Sequence, residues 1–420
     1  MLLSIKNRLI VMSFLQFFVW GAWLITIGNY WFANKGWSGA SFGAIFSTLG
    51  FSSLFMPTIT GFIADKWIDA EKLYAILHFL GGLVLFYIPF VDDSTTFFYV
   101  IFLAMIFYMP TIALSNSIAY TILKKNNFDV IKVFPPIRVW GTIGFIAAMW
   151  VTNLTGNKST EGQFYIAGIA AVILAFYSLT LPKCPPQAKE EALAEKSSII
   201  ADALKLFATY KMALFFIFSM LLGAALQLTN MYGDRFVDHF KDVALYKDLW
   251  VVEHSTIIMS ISQVSETLFI LAIPFFLKKF GIKNVMLISM LAWVLRFGLL
   301  AYANPADGLW MIILSCIVYG MAFDFFNVSG SLFVETTAAP KIRSSAQGIF
   351  MMMTNGFGAI IGSLVSGVII DAYFVSTDGI WDWQGIWLTF AAYSLVVTFL
   401  FAFLFKHKHN PNDIVGEIGH

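Results

Sequence analysis

Tyr319-Gly-Met-Ala-Phe-Asp324-Phe-Phe-Asn327-Val-Ser-Gly-Ser-Leu-Phe-Val-Glu335 sets an acid inside an apolar run. The run begins near Leu309 and is long enough to span a bilayer, which needs roughly 20 apolar residues. Asp324 sits near its middle, where a charge costs about 3 kcal/mol on insertion scales. An acid at that depth faces a polar cavity or a partner rather than lipid. At helical spacing Tyr319, Phe323 and Asn327 share one face (i, i+4, i+8), with Asp324 beside them. Aromatic area, an amide and a titratable group together suit a small polar solute that contains a ring. The alternative is a packing face with Asp324 paired to a neighbouring helix. The plan of the whole chain favours the solute site.

That plan starts from composition. The chain has 420 residues, 59% hydrophobic and 12% charged, with a mean hydropathy of +0.77. Soluble domains carry about 25% charged residues. An all-α, polytopic membrane protein is expected. The net charge of +1 gives no footprint for a nucleic-acid partner. Of the two cysteines, Cys184 lies in a polar linker and Cys316 in an apolar run, so no disulfide framework is expected. The sequence shows no His/Asp/Cys metal cluster and no nucleophile motif, so neither an enzyme nor a metal or cofactor is expected. The first apolar run, from Leu9, is too long for a signal peptide and is expected to be an uncleaved first span.

A sliding hydropathy window predicts twelve spans, near residues 9–33, 39–63, 71–91, 97–121, 138–154, 163–181, 212–232, 254–277, 284–303, 309–334, 345–371 and 384–405. The longest polar linker, 182–211, separates the sixth from the seventh. It holds Lys189-Glu-Glu-Ala-Leu-Ala-Glu195-Lys196, expected as a short surface helix. The organisation is therefore a six-helix half (1–181), a linker (182–211) and a second six-helix half with a short tail (212–420).

Basic residues orient the spans. Twenty of the 26 fall on one side: near the N-terminus, in the linker, in the alternate loops and after the last span. Only Lys35, Lys158, Arg235, Lys241 and Lys247 fall on the other, and Arg296 lies within a span. The positive-inside rule puts both termini and the linker in the cytoplasm.

Pro135-Pro-Ile-Arg138-Val-Trp-Gly-Thr-Ile-Gly-Phe145 aligns with Pro340-Lys-Ile-Arg343-Ser-Ser-Ala-Gln-Gly-Ile-Phe350, with Pro, Ile, Arg and Phe matching. Both copies enter an odd-numbered span from the cytoplasm, which makes the halves parallel repeats. That relation resembles the major facilitator superfamily. Gly61-Phe-Ile-Ala-Asp65-Lys66 is similar to that superfamily's loop motif, whereas Phe276-Leu-Lys278-Lys279-Phe-Gly281 is a degenerate counterpart.

Polar residues inside other spans form pairs: Gln227 with Asn230, and Gln263 with Glu266, each at i, i+3. Arg138, Thr142 and Phe145 follow at i, i+4, i+7. Buried amides are costly unless paired, so these groups suggest one shared cavity. Interhelical hydrogen bonding is the alternative for the amides, and an ion pair with Arg296 the alternative for Glu266. Arg138 could merely line the mouth, since Arg343 reads as a cytoplasmic-edge residue. Trp20, Trp23, Trp31, Trp37 and His78 are expected to pack rather than bind. Asn153-Leu-Thr155 is a glycosylation sequon, meaningful only in a host that glycosylates.

Ser13-Phe-Leu-Gln-Phe, Phe134-Pro-Pro-Ile-Arg-Val-Trp-Gly-Thr-Ile-Gly-Phe, Phe216-Ile-Phe-Ser-Met-Leu-Leu-Gly, Ile258-Met-Ser-Ile-Ser-Gln-Val-Ser-Glu-Thr-Leu-Phe-Ile and Ala322-Phe-Asp-Phe-Phe-Asn resemble the bacterial nucleoside:proton symporter family of the major facilitator superfamily. The resemblance runs from about Leu9 to Phe405. It implies a monomeric, multi-pass protein of the bacterial inner membrane that imports purine and pyrimidine nucleosides, such as uridine and adenosine, with protons. It implies binding by Arg138, Thr142, Phe145, Gln227, Asn230, Gln263, Glu266, Tyr319, Phe323 and Asp324. Where a family member carries an acid before Gln227 this chain has Ala225, which leaves Asp324 and Glu266 to couple protons. A porter for sugars or other small polar solutes is the alternative. A membrane enzyme or sensor lacks any supporting motif.

The charge bias makes a direct prediction. A reporter active only in the cytoplasm, fused after His420, is expected to be active. An inactive fusion on well-expressed protein would mean that the span count is off by one.

Overall fold

The bilayer interior offers no hydrogen bonds, so a spanning chain satisfies its backbone within helices. The structure, a computed structural model, meets that demand over residues 4–186, 205–339 and 342–407, which are the residues it describes. The expected surface helix at 189–196, Pro340 and Lys341 of the second repeat copy, and the tail from Lys408 lie outside these.

The first half of the chain supplies α1 (Ile5–Gly21), α2 (Gly39–Lys66), α3 (Ala70–Tyr87), α4 (Ser94–Lys125), α5 (Val130–Leu154) and α6 (Gly162–Ser178). The second supplies α7 (Tyr210–Asp238), α8 (Ile261–Tyr302), α9 (Leu309–Thr337), α10 (Arg343–Met351), α11 (Ala359–Tyr373) and α12 (Trp383–Leu404). A five-residue π-turn, Tyr30–Asn34, follows α1, and a seven-residue one, Met352–Gly358, joins α10 to α11. Gly281 interrupts α8 with φ 75°, a left-handed value that glycine adopts without a Cβ penalty. Among the described residues nine helical stretches are long and apolar enough to cross a membrane, counting Ser255–Tyr302 as one.

Local chemistry sets the helix starts. Ser4, Ser38, Asp93 and Asp382 each accept a hydrogen bond from the amide three residues on, capping α1, α2, α4 and α12. The Thr96 amide holds the Asp93 carboxyl below the usual carboxylate range. Two boundaries depart from the sequence reading. The first span unwinds at Ala22–Thr26, and α5 begins at Val130, eight residues before Arg138, carrying Pro135 and Pro136 inside it.

The chain divides into two compact units. The first contains α1–α6 together with Asn230–Asp238 and His254–Ile257; the second contains the rest. In the first, α1 packs on α5 and α6, α3 on α4 and α6, and α2 on α4. Gln16, fully buried, organises its interior. Its amide donates to Thr111 Oγ1 (2.9 Å), and its side-chain oxygen accepts from Tyr74 (2.5 Å) and lies 2.9 Å from His78 Nε2. His78 is thus a satisfied packing histidine. Trp23 and Trp31 are buried as well.

A second polar knot in this unit holds the pieces of the later chain. Lys158 Nζ lies 2.9 Å from Asp238 Oδ1 and donates to Ser255 Oγ at 2.9 Å. Asp234 Oδ2 accepts from Asn29 (2.6 Å) and Thr256 (3.0 Å). The amide nitrogen of Asn153 is 3.0 Å from His254 Nδ1, so the sequon asparagine is a buried structural residue. At the start of the linker, Glu71 accepts from the Cys184 amide at 2.8 Å. Burial first, then Glu71, push the Cys184 thiol up to about 11, which makes it a packing group rather than a reactive one.

In the second unit α8 packs along α9 and against α12. Buried hydroxyls return to backbone carbonyls there: Ser289 to Ala322 (2.6 Å) across helices and Ser219 to Phe215 (2.7 Å) within one.

The α1–α5 contact is close because a Cβ on Gly144 would collide with the Phe14 carbonyl, and one on Gly21 with that of Phe145. Backbone cannot rotate aside. Gly144→Ala is therefore expected to lower stability by about 1–3 kcal/mol, the usual cost of overpacking. Thermal unfolding in detergent measures it. Gly298→Ala, with nothing within 4 Å of the added carbon, is the control and should lose nothing.

Candidate solute-binding site

In the second unit α8 and α9 bring Glu266, Tyr319, Phe323 and Asp324 within reach of one another. Tyr319 and Phe323 lie one turn apart on α9, and their rings stack nearly parallel, 6° apart with centroids at 6.0 Å. Trp293 from α8 stands at 90° to Tyr319, 5.9 Å away. The charges of Glu266, Arg296 and Asp324 all reach the Tyr319 hydroxyl, and Glu266 also acts on Asp324. Asn327 spends its amide nitrogen on the Phe323 carbonyl, at 3.1 Å.

Arg296 is fully buried. Its Nε donates to Thr229 Oγ1 on α7 (3.3 Å) and its Nη1 to the Ser315 carbonyl on α9 (2.6 Å). The guanidinium carbon lies 4.8 Å from the Tyr319 ring centre, a cation–π distance. Arg296 thus ties three helical segments together. Ser315 and Tyr319 present a carbonyl and a ring face to the guanidinium on α9.

Four buried atoms here have no hydrogen-bond partner: Gln227 Oε1, Gln263 Oε1, Asp324 Oδ2 and Arg296 Nη2. Asp324 is only 5% exposed and Gln227 7%. Each of these atoms keeps hydrogen-bonding capacity that a polar guest could take up. Gln263 and Glu266 are half-buried on the first part of α8. Asn230 is half-buried one turn beyond Gln227, where α7 passes into the first unit.

In that first unit, Arg138, Thr142 and Phe145 are all half-buried along α5. The Arg138 guanidinium carbon sits 3.9 Å from the Phe17 ring centre, and its charge reaches the Tyr108 hydroxyl. Arg138 is well inside its helix. Arg343 instead opens α10 and pairs with Glu335 at 2.9 Å. The aligned arginines therefore do different work. Sequence reasoning missed Phe17, Tyr108, Trp293 and Thr229. Rings and a hydroxyl in apolar runs carry no contrast that would mark them. Trp20, half-buried, meets Tyr108 edge-on at 5.3 Å, with its indole nitrogen unpartnered.

Long apolar helices around buried acids, amides and a guanidinium define a membrane transporter. A sequence profile of the family described as nucleoside H+ symporter matches residues 3–410, and the chain belongs to that family. It is 50% identical over 409 residues to the nucleoside permease NupG of Escherichia coli (strain K12), covering 97% of each chain. It is 48% identical over 413 residues to the xanthosine permease of the same organism, covering 98% of each. A crystal structure of nucleoside transporter NupG superposes with a TM-score of 0.90 at 50% identity, over 97% of this chain and all of that one.

Arg296 yields a prediction that separates function from folding. A buried guanidinium is costly to desolvate even when hydrogen-bonded, so Arg296→Met, which keeps an apolar chain in its place, should leave thermal stability in detergent unchanged or higher. The same change releases Tyr319 and Thr229, and uridine affinity is expected to fall about tenfold, measured by equilibrium binding. A loss of stability that parallels the loss of binding would assign Arg296 to packing alone.

Proposed function

We propose that this protein imports nucleosides together with protons, by alternating access of two six-helix halves (1–181 and 212–420) joined by the cytoplasmic linker 182–211. The halves comprise twelve spanning helices with both termini cytoplasmic, in a bacterial inner membrane, and the chain works as a monomer. Division of α8 at Gly281, with α1 and α6 added, brings the nine apolar stretches to the proposed twelve. One observation supports the reading most: unpartnered Gln227, Gln263 and Asp324 oxygens lie in the unit that holds the stacked Tyr319 and Phe323.

In this reading the amides of Gln227, Asn230 and Gln263 and the Glu266 carboxylate take the ribose hydroxyls. Arg138, Thr142 and Phe145 contribute from α5. A site that hydrogen-bonds hydroxyls rejects analogues lacking them, because its own buried groups are stranded. Asp324 carries the coupled proton, with Glu266 the alternative carrier. A proton on Asp324 turns a buried acceptor into a donor and removes its charge while the halves rearrange.

Uptake of uridine into proteoliposomes, with and without an inward proton gradient, tests the function. The gradient is expected to drive accumulation. Asp324→Asn, which mimics the protonated acid, should bind uridine yet fail to concentrate it. Gln263→Ala and Asn230→Ala should weaken binding by about 1–3 kcal/mol, the range for a lost buried partner. If the Asn variant accumulates uridine with wild-type pH dependence, the proton moves to Glu266. If free ribose competes as well as adenosine, the protein is a sugar porter.

A further inference from the structure

Helix α12 supplies none of the residues assigned above to the solute, yet a continuous column of rings leads from it to Tyr319. Trp387, in the first turns of α12, is stacked on Phe297 of α8, 15° from parallel with centroids 5.8 Å apart. Phe297 is stacked in turn on Trp293, one turn back along α8, at 29° and 5.5 Å. Trp293 meets Tyr319 at a right angle, and Tyr319 lies parallel to Phe323. Rings from α12, α8 and α9 thus touch in succession within the second unit.

The end of the column farthest from Tyr319 is locked. Trp387 and Phe297 are fully buried, and Trp293 is 2% exposed. Phe390, one turn beyond Trp387, stands edge-on to both Trp387 and Phe297, each at 5.9 Å. Three rings that all touch one another form a closed triangle, and in an interior of near-crystalline density none turns without displacing the other two. Stacked and edge-to-face contacts are also the arrangements that the ring quadrupoles favour. The Tyr319 end has less to hold it. Phe323 is a neighbour on the same helix and moves with Tyr319, and the Arg296 guanidinium over the Tyr319 ring ends a long, flexible chain. Trp293 is the contact that ties Tyr319 to the locked triangle on α8 and α12.

Resting on the nucleoside reading above, we propose that Trp387, acting through Phe297 and Trp293, is a positioning residue for solute binding: it fixes the ring planes of Tyr319 and Phe323, so that α12 contributes to affinity without touching the solute. A guest held against those rings depends on their placement, because a gap of about 0.5–1 Å already forfeits a quarter to a half of a van der Waals contact. Loss of the Trp387 ring leaves a void beside Phe297, and the surroundings relax partly into it. Phe297 and Trp293 then shift toward α12, and Tyr319 loses the wall that holds its plane.

The test pairs equilibrium binding of uridine with thermal unfolding, both on the full-length protein in detergent. Trp387→Leu is compared with Phe401→Leu, on the same helix about 21 Å further on by helical rise. Phe401 is equally buried and packs on Phe218 and Phe405, outside the column. Both variants should lower the unfolding temperature, but only Trp387→Leu should weaken uridine binding, by about fivefold. Trp387→Phe, which keeps a ring against Phe297, should restore most of the affinity. Trp293→Leu should weaken binding at least as much, and adding Trp387→Leu to it should cost nothing further, because the column is already cut. Phe297→Leu cuts the same column and is read in place of Trp387→Leu if that variant fails to fold. The proposal is overturned if Trp387→Leu lowers stability yet keeps wild-type affinity, if Phe401→Leu weakens binding as much, or if the Trp293 and Trp387 losses multiply in the double variant. A wild type that binds no uridine overturns the nucleoside reading, and this inference with it.

Discussion

Hydrocarbon cannot accept or donate a hydrogen bond, and every polar atom in this chain is placed under that constraint. The backbone meets it by staying helical for most of the described length, through Pro57, Pro110 and Pro274 alike. Hydroxyls meet it by turning back onto carbonyls one turn earlier, as Ser53, Thr60 and Thr398 do. Where that is impossible, side chains gather. Gln16 collects Tyr74, His78 and Thr111 around one amide, while Tyr108 donates to its backbone carbonyl at 2.8 Å. Lys158 and Asp238 face each other although neither is more than 6% exposed. Such knots specify which helices meet, since any other pairing would strand a polar atom.

Against that rule the exceptions stand out. Gln227, Gln263, Asp324 and Arg296 each keep a buried polar atom without a partner. In the proposed import function a guest takes up such groups, held firmly enough to be recognised and loosely enough to leave. Unpartnered atoms also occur in the first unit, at Trp20, Asn29 and Tyr30.

Much of this was legible in the sequence, for a physical reason. A charge or amide in an apolar run is a large free-energy anomaly, so Asp324, Glu266, Gln227 and Gln263 announce themselves, and helical spacing says which share a face. Helix positions were legible from hydropathy to within a few residues for α2, α4, α6 and α12. The break of α8 at Gly281 did show, since it falls between the expected spans 254–277 and 284–303. What failed to show were features without contrast. Pro135 and Pro136 look like a helix start yet lie inside α5. The carbonyl, hydroxyl and ring that Arg296 meets carry no charge that would mark them in the sequence. The π-turn Met352–Gly358 has no marker residue.

The path of α7 joins these threads. Residues up to Thr229 belong to the second compact unit, and those from Asn230 to the first. Gln227 and Asn230 are separated by less than one turn of this continuous helix. Arg296 grips Thr229, the last residue before that division. The Asp234, Arg235 and Asp238 side chains, two turns further on, are committed to buried polar contacts in the first unit. One helix thus carries uncommitted amides in its middle and committed charges at its end. The rise per residue makes about 16 Å between Gln227 and Asp238, too far for a small solute to touch both. Between them α7 contains neither a proline nor a π-turn.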